Sequence, residues 1–448
     1  VFFVDTIELE GLGNRSYLAG GEHTAVAVDP PRDIDRVLAA AARRGVRISH
    51  VAETHIHNDY VSGGLQLARV AGAAYLVPAG AHVSFARVAV SDGDAVEIDA
   101  GVTLRAMATP GHTPHHTSYV LHDGDRPVAA FTGGSLLIGT VGRPDLVEPR
   151  LTERLARAQH ASAHRLAAEL PDATAVLPTH GFGSFCSSAQ AEGDTTTIGE
   201  QRAGNPALGV DVDTFVADLL AGLDDVPAYY AHMGPANTAG PAPVDLTPPA
   251  AAGAEEIAAR LAAGEWVVDL RNRVAFAEGH VAGSFNFEAE GKLATYLAWM
   301  IPWGKPVTLL AESAEQLAGA QRELVRVGID RPAAAATGGP GRWLRKGRRP
   351  PRSPGPPSPD SPSGAPGAWS SSTCAATPSA PAAGSRAPCT SRSTSCTTAS
   401  ARSPAERCGC TARAGCGPPS RPHCWMPRAG RWSPSTTAST PPATPACP

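Results

Sequence analysis

The stretch Glu53-Thr54-His55-Ile56-His57-Asn58-Asp59-Tyr60-Val61-Ser62-Gly63-Gly64 decides how this chain is read. It follows a short apolar run and carries two histidines at i and i+2, with Asp59 two residues further on. Two imidazoles so spaced in a loop can turn toward one ion, and a nearby carboxylate can ligate it or support a ligand. Further along, Thr109-Pro110-Gly111-His112-Thr113 offers a third imidazole and Pro178-Thr179-His180-Gly181 a fourth, the latter just after a strand-like run. A single His-x-His arises often by chance. Three pieces in this order, with glycine beside two of the histidines, are much more specific. His55, His57, His112 and His180 are therefore the candidate metal ligands, and imidazoles on loops at strand ends suit zinc or iron.

The surrounding sequence alternates short strands with helices. Ala25 to Pro30 reads as a buried strand closing on a turn, and Val102 to Met107, Ser118 to Leu121 and Pro127 to Thr132 as further strands. Leu151 to Leu170 has apolar residues at helical spacing and ends at Pro171. This mixture predicts a layered α/β domain over residues 1–234. Residues 235–252, rich in Pro, Gly and Ala, read as a linker. A small α/β unit follows over residues 253–344, with a helix from Ala254 to Ala263, strands Trp266 to Arg271 and Pro306 to Leu310, and a helix from Glu315 to Val327.

Composition narrows the function classes. The chain has 448 residues and a net charge of −4, so charge makes no case for nucleic acid or a membrane surface. The apolar run Val1-Phe2-Phe3-Val4 stops at Asp5, short of a signal-peptide core, and no stretch approaches a membrane span. Of nine cysteines only Cys186 precedes position 370, so no disulfide framework is expected there and a cytoplasmic location is.

The strings around His55, His112 and His180 resemble the metallo-β-lactamase superfamily, which implies an αββα sandwich with metal at one edge. Together with Phe131-Thr132-Gly133-Gly134-Ser135-Leu136-Leu137-Ile138-Gly139 and Val141-Gly142-Arg143-Pro144-Asp145-Leu146, they resemble the persulfide dioxygenase branch fused to rhodanese modules. The resemblance covers residues 1 to about 344. It implies one Fe(II) held at positions matching His55, His112 and residue 134. O₂ and a glutathione-like thiol persulfide are the implied reactants, sulfite and thiol the implied products. Asp59 and Tyr60 are then the candidate catalytic residues, and Arg143, through its planar guanidinium, the candidate for a substrate carboxylate, an ordinary ion pair being the alternative.

Two positions depart from that pattern. Tyr60 stands where dinuclear relatives carry another histidine, which argues against a second metal. Gly134 stands where the aspartate ligand would be. Either His57, the expected third ligand, completes a three-histidine site, which suits zinc as well as iron, or affinity and activity are reduced. Restoring aspartate at 134 is expected to raise iron occupancy. Three functions follow: an iron-dependent persulfide oxidoreductase, a zinc thioester hydrolase of glyoxalase II type, or a non-catalytic metal-binding member. A homo-oligomer is left open. His115 and His116 are neighbours that cannot both face inward along a strand and read as structural, while Cys186 reads as a small buried residue. Tyr229, Tyr230, His232 and Asn237 are candidates for the pocket edge or for packing at a domain end.

Val267-Val268-Asp269-Leu270-Arg271 followed by Phe276-Ala277-Glu278-Gly279-His280-Val281-Ala282-Gly283-Ser284 resembles a rhodanese domain. Such domains carry a nucleophilic cysteine at the end of a buried strand; here Ala311-Glu312-Ser313 follows Val307-Thr308-Leu309-Leu310, and residues 187–373 hold no cysteine. After Leu344 there is no Leu, Ile, Val, Phe or Tyr, so no core is expected and residues 345–448 read as a disordered tail. That tail also reads as an out-of-frame translation of a second rhodanese unit. Shifting each codon of Arg407 to Gly417 to start on the last base of its predecessor allows a Cys-x-x-Gly-x-Arg loop, and Ala368 to Ala375 so shifted matches the pattern of Trp266 to Arg271.

Overall fold

The protein is described by a computed structural model covering residues 2–188 and 193–344. The expected tail lies outside the described residues. Six strands form the first sheet in the order β1 (Phe3–Leu9), β2 (Asn14–Gly20), β3 (Thr24–Val28), β4 (Arg47–Ala52), β5 (Ala74–Pro78) and β6 (Val88–Val90). The second sheet runs β11 (Ala175–Pro178), β10 (Arg126–Gly133), β9 (Thr117–Asp123), β8 (Val102–Ala108) and β7 (Ala95–Asp99). The strands predicted from sequence are β3, β8, β9 and β10, each within about two residues of its expected ends.

The two sheets face each other across one core. Tyr17, Val26, Val28 and Leu76 from the first sheet meet Leu104, Tyr119, Leu121 and Phe131 from the second. The outer face of the first sheet is covered by helices Asp35–Arg44 and Gly64–Ala71, through Val37, Leu65 and Leu67. The outer face of the second is covered by Thr152–Glu169 and Val212–Ala221, through Leu166 and Phe215. The order is helix, sheet, sheet, helix. β3 is buried along nearly its whole length because both its faces are covered, which is why it reads as an unbroken apolar run.

Direction then decides where the histidines go. β3 and β4 are parallel, as are β10 and β11, and β8 runs the same way as β10 because each is antiparallel to β9. The loops leaving β4, β8, β10 and β11 therefore open at one edge of the sandwich.

The expected linker starts later than its composition suggested. Helix Tyr230–Ala239 runs through Pro235, held by burial of Tyr230, Met233 and Asn237. Burial of that face outweighs the lost backbone donor at proline. At the other end, residues 250–252 pair with Ala335, so they extend the second unit's sheet. That unit is a parallel sheet in the order β13 (Phe285–Asn286), β12 (Trp266–Asp269), β14 (Val307–Ala311) and β15 (Ala334–Thr337), with helices that include Ala254–Ala262, Leu293–Met300 and Ala314–Arg326.

Candidate metal centre

The ligand loop begins at the end of β4, and its anchor is Asp29 at the end of β3. Asp29 is the only non-glycine residue with positive φ among the described residues, at 48°. Asp tolerates this region because a short polar side chain can bond locally. Fully buried, it accepts hydrogen bonds from the Thr54 N–H and hydroxyl, each 2.7 Å, and from the Thr179 hydroxyl. One carboxylate thus fixes the loop of His55 and the loop of His180 together.

Three imidazoles converge, and each has one nitrogen already engaged. The Thr54 hydroxyl donates to Asp29, so at 2.9 Å its oxygen accepts from His55 Nδ1. His112 Nδ1 donates to the Arg143 carbonyl at 2.8 Å, and His180 Nδ1 to Asn14 Oδ1 at 3.1 Å. That leaves all three Nε2 atoms facing inward: those of His55 and His180 are 3.3 Å apart, and that of His112 is buried with no partner. The ligand atoms of His55, His112 and His180 lie within 4.8 Å of one another. Burial and the neighbouring rings hold the His55 imidazole well below its ordinary range, and burial with His180 takes His112 down to about 3. Imidazoles with the outer nitrogen engaged and the inner one turned to a common point are what zinc or iron needs, so these residues fit a metal.

The nitrogen that groups with those of His55 and His112 is that of His180; His57, the expected third ligand, groups with Asp59 and His180 and with Asp29 and Glu53. His57 lies instead between two buried carboxylates, with Nε2 3.2 Å from Asp29 and 3.1 Å from Glu53. Burial alone would lower its pKa; Asp29 and Glu53 outweigh it and raise it to about 10. The ring stays beside His55, with centroids 4.2 Å apart, and its Nδ1 is buried without a hydrogen-bond partner.

Asp59 supports His180: its Oδ2 accepts from Asn14 Nδ2 at 2.6 Å and lies 3.3 Å from His180 Nδ1, while Oδ1 is buried without a hydrogen-bond partner. The Tyr60 hydroxyl is committed to the Asp29 carbonyl at 3.2 Å, and its ring packs on His57. Arg143 pairs with Asp145 through Nε and Nη2, at 2.7 and 2.8 Å, and donates to the Asp224 carbonyl. This is the ion-pair alternative, and only its backbone carbonyl reaches the centre. Of the two neighbouring histidines, His116 is buried and accepts from the Gly134 N–H at 3.0 Å, whereas His115 is exposed. Asn237 donates to the carbonyls of His57 and Tyr60 and accepts from the Ser62 N–H, pinning the loop from behind.

Gly134 does border the centre, but a side chain there has no room. A Cβ would stand 2.3 Å from His112 Cδ2 and 2.9 Å from its Nε2. Aspartate at 134 would push His112 off the Arg143 carbonyl, so the expected gain in iron is revised to a loss. Gly134→Ala should weaken metal binding by roughly tenfold, the size seen when a ligand's support is removed. Competition with a chelator checks this; affinity equal to wild type would mean that His112 can shift without cost.

Residues 10–180 match the family model of the metallo-β-lactamase superfamily. The human mitochondrial persulfide dioxygenase ETHE1 is 29% identical over 208 residues, 45% of this chain and 74% of that protein. A hydroxyacylglutathione hydrolase of Pseudomonas putida is 32% identical over 161 residues, 35% of this chain and 56% of the relative. A crystal structure of a metallo-β-lactamase from Staphylococcus aureus matches with 25% identity and a TM-score of 0.67, over 75% of this chain and 98% of its own. Residues 1–234 are only about half of the chain, so that likeness extends into the second unit. No helix among the described residues is long and apolar enough to cross a membrane.

Proposed function

We propose that this chain, whose residues 10–180 match the family model of the metallo-β-lactamase superfamily, is a mononuclear persulfide dioxygenase-type enzyme acting on a low-molecular-weight thiol persulfide. The observation that carries the mononuclear reading is the sharing of His180. It belongs both to the group with His55 and His112 and to the group with His57 and Asp59, so both cannot be complete at once. The third group, Asp29, Glu53 and His57, has its carboxylates tied to Thr54, Thr179, Ser62 and Tyr75. On this reading a two-metal hydrolase would be short of a second independent ligand set among the described residues.

His55, His112 and His180 would hold the ion. When bound, iron supplies the redox chemistry that O₂ requires, whereas zinc would supply a Lewis acid for hydrolysis. The chain's own part is to fix three imidazole tautomers and to exclude water: the three histidines are at most 1% exposed. The cavity beside His55 and His57 holds about 10 Å³ and is lined also by Asn237 and Pro241. The overall reaction consumes one persulfide, one O₂ and one water and yields thiol, sulfite and two protons. Similarity to a persulfide dioxygenase over most of that relative's length supports this substrate class.

O₂ uptake and sulfite formation by the Fe(II)-loaded protein with glutathione persulfide test the reading. Hydrolysis of a glutathione thioester without O₂ uptake would replace it with the hydrolase, and metal binding with neither activity with a non-catalytic member.

The second unit we read as a rhodanese-like domain without its nucleophile. At the end of β14, Gln316 Oε1 accepts the Glu312 N–H and Ser313 Oγ accepts the Gln316 N–H, so these donors are not open to a sulfur anion. No cyanide-dependent thiocyanate formation is expected from this unit; activity that survives loss of Cys186 and of residues 345–448 would contradict it.

A further inference from the structure

The second unit lacks a nucleophile, yet it abuts three of the segments that build the metal centre. The Val61 N–H, two residues beyond Asp59, donates to the Arg326 carbonyl at 2.7 Å. Lys292 Nζ donates to the Gly183 carbonyl at 2.6 Å, three residues beyond His180. The Thr295 hydroxyl donates to the Gly11 carbonyl at 3.2 Å, in the turn that leads to Asn14. Between these bonds lies one buried apolar cluster in which Tyr60, Val61 and Leu12 pack with Ala294, Ala298 and Val327.

Charge fixes the register. Asp33, fully buried, receives Arg326 at 2.8 and 2.7 Å. Its neighbour Arg32 crosses the boundary with the opposite sign, pairing with Asp330 and donating to the Val325 carbonyl at 3.1 Å. Two adjacent residues of the first unit thus meet two complementary residues of the second, four apart. Sliding either unit would leave buried charges unpaired, at a large cost.

We propose that the second unit is a clamp that holds the metal-binding loops in their ligating conformation. The proposal rests on the metal centre described above and not on the choice of substrate. Tyr60 and Val61 share this cluster with Leu9, Tyr229 and Met233 of the first unit, and Ala294, Ala298 and Val327 complete it from the second. With the unit undocked, Val61 loses its acceptor, the cluster loses one side, and the loop of His55 and Asp59 gains freedom that metal binding must then remove.

The coupling must be reciprocal, because docking and metal binding share one free energy. The test uses the full chain and Co(II), whose visible spectrum reports ligation. In the wild-type protein, Co(II) should slow amide hydrogen exchange in 293–300 and 323–330 as well as in the ligand loops. Arg326→Ala should raise the Co(II) dissociation constant by roughly tenfold, in line with loss of ligand support. It should also expose the segment 240–249 to protease; Lys292→Met should have a smaller effect of the same sign. Slowed exchange confined to the ligand loops, together with a dissociation constant within twofold of wild type in both variants, would overturn the clamp. A wild-type chain that takes up no Co(II) would overturn the metal reading, and the clamp with it. If Arg326→Ala does not fold, the exchange pattern of the wild-type protein decides.

Discussion

His112→Ala should empty the metal centre while leaving the fold nearly as stable as the metal-free wild type. The imidazole contributes one buried Nε2 to the cluster and one hydrogen bond, to the Arg143 carbonyl. Losing that bond costs on the order of 1 kcal/mol, plus the void left by the ring. Losing the nitrogen leaves His55 and His180 as a two-imidazole remnant, which structural and catalytic sites do not use. Metal affinity should fall by roughly a hundredfold or more, beyond what loss of an outer support produces. His180→Ala should behave likewise, whereas His57→Ala should keep the metal and lose stability, since it leaves Asp29 and Glu53 facing each other without a cation. Elemental analysis and thermal unfolding of the three variants separate these effects. Wild-type protein with two equivalents of metal, or His112→Ala with one, would sink the mononuclear three-imidazole site.

The contrast between His180 and His57 also marks where the sequence stops being informative. Residue type and spacing identify the four histidines, and strand-end loops place them at one edge. Which ring turns inward depends on partners far away in the chain: Asn14 for His180, and Asp29 with Glu53 for His57. Asp29 lies at the end of a strand that the apolar pattern does identify, but its αL backbone and its reach to Thr54 and Thr179 have no local signature. Glu53 adjoins the histidine motif, and a buried acid there is invisible until Ser62 and Tyr75 are seen to hold it. Asn237 shows the same limit from the other side. Pro235 and the glycines around it read as linker, and only the packing of Tyr230 and Met233 shows that a helix carries Asn237 to the ligand loop. The layered α/β fold is legible because burial imposes a period on each strand and helix. The orientation of single polar side chains imposes none.

Asp29 should therefore be the most costly position to lose outside the ligands themselves. Asp29→Ala removes the acceptor of the Thr54 N–H and of two threonine hydroxyls, all buried, and takes from His57 one of the two carboxylates it pairs with, leaving Glu53. Breaking a buried ion pair by removing one partner costs about 3–5 kcal/mol. Alanine at φ 48° adds strain of about 1–2 kcal/mol that Asp and Asn largely avoid. For a domain of this size the sum corresponds to a fall of roughly 10 °C or more in the unfolding midpoint. Metal affinity should fall as well, because the Asp29–Thr54 bond is what commits His55 Nδ1 and leaves its Nε2 free. Asp29→Asn keeps the backbone conformation and one acceptor oxygen, so it should lose about half as much stability and retain measurable metal. Thermal unfolding with and without saturating zinc ranks the three proteins. An alanine variant within about 1 kcal/mol of wild type, or one less affected than the asparagine variant, would show that Thr54 and Thr179 do not depend on this carboxylate to bring their histidines together.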